Sequence, residues 1–332
     1  MTTATQALHD FDMRQRFYFE QSPVRGDVVR INDSLQTILQ QKDYPVALQK
    51  LLGERLVAAS LLIGTLKIEG RLSIQLQNSG AATDAEQDSL TWAMAECDHQ
   101  GHIRGLAEWT GAWQSAQTAN DAFAKLGKVG EGVLFINIQP DATYGTQAEG
   151  YQGIVERVAD NLADCLAHYQ QQSVQIPTLI NLACDGEQAG GIVLQLLPRT
   201  TEEEYETVDN DLFPRLKILT KTLKAEELTT LPADEILYRL YHEEDVVTAE
   251  PMPLTFACTC SQQKSESAIF QLGKPAALEI ANEHGGAVAL DCGFCGHVYR
   301  FDHKDIEMIL LNLMDCIATF TSFKIAQYWL RF

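Results

Sequence analysis

The sequence predicts an α+β protein: a mixed α/β N-terminal domain, a helical linker and a small C-terminal four-cysteine zinc domain. Three observations carry this expectation. Strand-length and helix-length apolar patterns interleave irregularly up to about Pro198, acidic residues crowd together from Thr200 onward, and half of the eight cysteines fall between positions 258 and 295. A chain of 332 residues has room for about two domains on length alone. Irregular interleaving favours an α+β body over a regular parallel sheet.

In the N-terminal domain (1–199), Arg71-Leu72-Ser73-Ile74-Gln75-Leu76-Gln77 alternates apolar and polar, as a half-buried strand does. Gly132 to Gln139 and Gly191 to Leu197 are apolar runs of strand length, whereas Val46 to Leu66 (after Pro45) and Val155 to Tyr169 read as helices. Residues 78–88 read as a polar loop. In the linker (200–253), Glu202, Glu203, Glu204, Glu206, Asp209 and Asp211 precede Leu212, Leu216, Leu219 and Leu223, which recur at helical spacing with Pro214 in the first turn. A second helix is expected after Pro232, with Asp234 and Glu235 at its positive end. Helices this short need neighbours to cover an apolar stripe. The four leucines are therefore the candidates for a surface that engages another protein, although a solvated acidic face gives the same pattern.

The third segment (254–303) carries Cys258-Thr259-Cys260 and Cys292-Gly293-Phe294-Cys295. Two close-spaced pairs separated by a loop read as a four-thiolate site for one Zn²⁺, which takes tetrahedral sulfur ligands. Structural disulfides or inert core thiols are the alternatives. On a strand, residues two apart share a face, so Phe256 to Cys260 would aim both sulfurs at one ion, and Gly296 can relax the turn after the second pair. About fifty residues bury too little apolar surface to stand alone. Zinc adds about 10–16 kcal/mol in small thiolate domains, so its removal is expected to melt 254–303. Oxidation would do the same, each disulfide removing two ligands. Closing Cys258 to Cys260 across about 6.6 Å of extended chain would distort the strand.

The tail (304–332) is apolar from Ile306, but Glu307, Asp315 and Lys324 interrupt it, which favours a packed amphipathic helix over a membrane span. A formal net charge of −20 argues against nucleic acid as a partner. Met1 to Asp10 has no secretory pattern, and clustered thiols without one point to a reducing cytoplasm. GxSxG and HExxH are absent, and Gly127-Lys128 lacks the rest of a phosphate-binding loop, so no enzyme is expected. Cys97, Cys165, Cys184 and Cys316 lie in apolar segments and read as small core residues. His297 is not needed where four thiolates fill a tetrahedron, and His284 and His303 read as surface or turn residues. Two other classes stay open: a thiol–disulfide oxidoreductase using Cys292 and Cys295, and a zinc-stabilised module that docks a protein without redox control.

The chain resembles the redox-regulated bacterial chaperones of the thirty-three-kilodalton heat-shock protein family from about Phe11 to Asp305. The resemblance rests on Arg16-Phe17 with Arg25-Gly26, Leu51-Leu52-Gly53-Glu54, Tyr151-Gln152-Gly153-Ile154-Val155, and Gly190-Gly191 with Gln195 and Leu197-Pro198. Arg239-Leu240-Tyr241-His242-Glu243-Glu244, Phe256 to Ser261, and Cys292 to Gly296 with Tyr299 and Phe301-Asp302 complete it. The resemblance implies a holdase that is quiescent with zinc on Cys258, Cys260, Cys292 and Cys295. Oxidation to Cys258–Cys260 and Cys292–Cys295 disulfides would release the metal and unfold the linker. It also implies ATP-independent binding of unfolding client proteins and a homodimer when oxidised. The chain departs from the family at Val174, at Gly293 inside CxxC, and in its longer tail.

Overall fold

A computed structural model of the chain describes residues 12–78, 87–127, 132–141, 149–198, 209–309 and 311. It divides into two compact units, Met1–Ala257 and Cys258–Phe332.

The first unit is built on a buried helix, α2 (Val46–Thr65), preceded by the short α1 (Asp33–Leu39). Leu48, Leu51, Leu52, Leu56, Leu61 and Leu62 are all buried, so α2 is apolar all round rather than striped. It packs on two six-stranded sheets. One sheet runs β10 (Val246–Thr248), β1 (Met13–Phe19), β2 (Val24–Ile31), β9 (Ala189–Leu196), β8 (Thr178–Cys184), with β11 (Met252–Pro253) also paired to β1. The other runs β12 (Thr255–Phe256), β5 (His102–Thr110), β4 (Ser89–Asp98), β3 (Gly70–Gln77), β6 (Val133–Pro140), β7 (Tyr151–Val155). Every pairing is antiparallel except β12 with β5. Helices α3 (Ala119–Ala124) and α4 (Leu162–Gln172) complete this part.

The first sheet is covered on both faces. Val29 and Val193 face the core around α2, while their neighbours Val28, Ile192 and Leu194 join a second core with Phe17 and Phe19. Two-faced burial is why 191–197 reads as a continuous apolar run. The outer face is covered by the linker segment, which forms α5 (Leu212–Thr220), α6 (Ala225–Thr230) and α7 (Ala233–Tyr241). Pro214 sits in the first turn of α5, and α7 begins directly after Pro232 with Asp234 and Glu235 in its first turn. Leu212, Leu216 and Leu223 are buried and Leu219 is packed against the same core; Leu223 lies past the end of α5. The Tyr241 hydroxyl meets Thr220 Oγ1 at 2.5 Å in this interior. Gly190 permits the closest approach: a Cβ there would lie 1.9 Å from the Leu228 carbonyl oxygen of α6.

Three arginines of β1 and β2 close the C-terminal end of α2. Arg14 donates to the Ser60 carbonyl at 2.9 Å, Arg25 to that of Thr65 at 2.9 Å, and Arg16 to that of Gly64. Cations suit a helix C-terminus, and buried Asp27 holds Arg16 at 3.1 Å.

Two expectations are corrected. Residues 155–161 are not helical: Tyr151–Val155 pairs with β6, and α4 starts only where Asn161 accepts from the Asp164 amide. The strand before the cysteines ends at Phe256, so Cys258–Cys260 is not strand. The expected loop lies outside the described residues at 79–86, as do Cys316 and most of the tail; the described part of the tail is helical from 304 to 309. No helix among the described residues is long and apolar enough to cross a membrane.

Candidate metal centre

The described part of the second unit holds a hairpin, in which β13 (Ala287–Asp291) pairs with β14 (Val298–Asp302), preceded by α8 (Gln262–Leu272) and α9 (Lys274–Glu283). Its core is Ile269, Ala277, Ala281, Val288, Phe301, Ile306 and Ile309. Ser261 caps α8 by accepting from the Lys264 amide, which fixes the chain just after Cys260. The hairpin's connection is a knuckle. Cys295 and Gly296 amides donate to the Cys292 carbonyl, and the Cys292 amide donates to that of His297. Gly296 adopts φ +68°, a left-handed conformation that glycine takes without strain.

These constraints bring Cys258, Cys260, Cys292 and Cys295 together, with all four sulfurs within 4.8 Å of one another. Cys258 Sγ lies 3.5 Å from Cys292 Sγ, and Cys260 Sγ 3.5 Å from Cys295 Sγ. A disulfide would require about 2.05 Å. Zn–S bonds of about 2.3 Å in a tetrahedron give sulfur–sulfur edges of about 3.8 Å. The sulfur set therefore fits a tetrahedral, thiophilic cation. Both of these close contacts join one motif to the other.

The sulfurs are electrostatically unequal. Tyr299 Oη donates to Cys260 Sγ at 3.2 Å and lowers that thiol to about 7. Burial pushes Cys258 up to about 12 and also raises Cys295. Four adjacent thiols cannot all ionise without a compensating cation. His297 stacks edge-on against Tyr299, centroids 4.5 Å apart, and does not join the sulfur group. His284 and His303 bond to the Ile280 and Gly286 carbonyls. Cys97 and Cys165 are buried and Cys184 is part-buried; burial raises Cys97 and Cys184 to about 12, which keeps them unreactive. The sequence reading missed the role of Tyr299; its position four residues after Cys295, across a hairpin knuckle, was the available signal.

A body of two largely antiparallel sheets around a buried helix, with a separate CxC/CxxC cluster of four sulfurs that could hold a metal ion, defines a two-part α+β class of protein. The chain belongs to the Hsp33 family, whose model, described as Hsp33 protein, matches residues 12–302. Two curated relatives, both named 33 kDa chaperonin, come from Shewanella sediminis and Yersinia pestis. The first is 38% identical over 301 residues, covering 91% of this chain and 96% of the relative. The second is 39% identical over 306 residues, covering 91% and 96%. The crystal structure of the 33 kDa chaperonin (HSP33) from Thermotoga maritima superposes with a TM-score of 0.72 at 19% identity, covering 92% of this chain and 99% of that one, which shows the shared fold.

Proposed function

We propose that the chain is an oxidant-activated, ATP-independent holdase of the cytoplasm, not an enzyme, held quiescent by one Zn²⁺ on Cys258, Cys260, Cys292 and Cys295. The observation that carries the reading is the gathering of four free sulfurs within 4.8 Å. Zinc, when bound, supplies the charge that keeps these sulfurs ionised and ties the two motifs together.

Peroxide oxidation of each pair is balanced as follows. One thiolate attacks a peroxide oxygen, giving a sulfenic acid and hydroxide. The second thiol attacks that sulfur, closing the disulfide and releasing water. Two thiols are oxidised for each peroxide reduced. The Cys258–Cys260 and Cys292–Cys295 pairing is the one the family resemblance implies, and chain connectivity favours it once the cluster opens. Partners within a motif stay held by one or two intervening residues, whereas the cross-motif neighbours are 34 and 35 residues apart and separate as the unit melts.

Only Ala257 separates β12 from Cys258, so unfolding at the cysteines would reach the strand that directly follows the linker segment. Undocking of α5–α7 would uncover Phe17, Val28 and Leu194 with Leu216 and Ile236. Such a surface can hold unfolding clients, while the net charge of −20 keeps the complex dispersed. The active form is a homodimer that binds neither nucleic acid nor membrane.

The test is an oxidant titration that follows zinc release, light scattering of a heat-denatured client and disulfide mapping together. Suppression of scattering in step with zinc loss supports the reading. Full suppression by the reduced, zinc-loaded chain would sink it, and turnover in an insulin-reduction assay would make the protein an oxidoreductase.

A further inference from the structure

A groove of about 370 Å³ opens in the first unit between α2, α4 and β8 on one side and the linker segment from Lys221 to Leu228 on the other. Leu223 and Leu228, both buried, form part of its apolar wall. Glu54 of α2 lines this groove and makes no hydrogen bond or ion pair among the described residues. It is set in surroundings dense enough that burial alone raises its carboxyl to about 7. A carboxylate held this way is uncompensated, a costly arrangement unless something from outside supplies the opposite charge.

The remaining lining is suited to an amine. Asp164 adds a second carboxylate, already accepting from Asn161 at 2.8 Å. Asn181, also in the lining, donates to the Thr220 carbonyl at 3.0 Å, and its amide oxygen can accept. Exposed Lys221 at the linker edge is the one cation of the lining and can turn to solvent. Among the described residues, only the four cysteines bring three or more metal-type ligand atoms together, so the groove does not assemble a divalent-metal site.

We infer that this groove binds a small organic ammonium, seated on the Glu54 carboxylate and bridging α2 and β8 to the linker helices. Because one wall is the linker, a bound amine stabilises its docked state by mass action. The binding itself does not depend on the redox reading.

The probe is 1,4-diaminobutane, added to the reduced, metal-loaded full chain at pH 8. Calorimetry should show one saturable site, and hydrogen exchange across 221–230 should slow. Glu54→Gln should weaken binding about tenfold or more. Lys221→Met, at an exposed position, should tighten it. Diffuse attraction to the 45 acidic side chains would be unchanged by loss of one carboxylate. Equal binding by the Glu54→Gln chain, or the absence of saturable heat at millimolar amine, overturns the assignment, as does equal competition by Mg²⁺. Loss of oxidant activation with binding intact would count against the holdase reading and leave this site standing.

Discussion

At the scale of the residue, the hydroxyl of Tyr299 reaches the sulfur cluster from outside the four cysteines and donates from a fixed strand position. A donor to a metal-bound thiolate stabilises its charge, and loss of such supporting contacts costs about 10–100-fold in metal affinity. Tyr299→Phe keeps the ring against His297 and removes only the donor. It is expected to lose zinc to a competing chelator about tenfold more readily, with unchanged circular dichroism in the loaded state. Glu54 makes a second prediction. Its folded pKa of about 7 lies above the unfolded value of about 4.3, so the protonated form favours the native state and this contribution is lost as pH rises through 7. Glu54→Gln should therefore be more stable than the parent by about 3 kcal/mol at pH 8 and by only about 1 kcal/mol at pH 5. Urea melts at the two pH values measure the difference. The gathering of the four cysteines was legible because short spacing is itself a geometric statement. Tyr299 and Glu54 were not, since their roles come from a hairpin register and from packing between segments far apart in sequence.

Among the elements, the linker helices show where periodicity succeeds and where it stops. Leu212, Leu216 and Leu219 fall on α5 as their spacing requires, and Pro232 marks the start of α7. Leu223 continues the numerical pattern but sits in a turn, because α5 ends at Thr220. The stretch 155–161 misled for the same reason: its apolar spacing suits a helix, yet Val155 is claimed by pairing with Leu134, and the Asn161 cap sets the real start. Leu216 is fully buried between α5 and the first sheet, so Leu216→Ala should destabilise the docked linker by about 2–5 kcal/mol. Limited proteolysis of the reduced protein should show faster cleavage in 209–245, with zinc content unchanged. Unaltered cleavage would mean that the linker is held by contacts other than this apolar stripe.

For the whole molecule, one zinc ion on the four cysteines would mean that the two units are stabilised by different means. The first has two extensive apolar cores, whereas among the described residues the second has a core of seven buried residues, three of them no larger than valine. Structural zinc contributes about 10–16 kcal/mol of apparent folding energy in thiolate domains, more than so small a core supplies. Chelation is expected to abolish exchange protection in α8, α9 and the β13–β14 hairpin while β3, β4 and α2 stay protected. Retained protection of the hairpin in metal-free protein would contradict that division of labour.

The contact at Gly190 carries a consequence for how such a protein could be switched genetically rather than chemically. With 1.9 Å between a notional Cβ and the Leu228 oxygen, there is no space for even one methyl group beneath α6. Alanine at this position would act as a wedge, prising the helix from β9 with every cysteine intact. If the holdase reading holds, the result would be a chain armed in the absence of any oxidant.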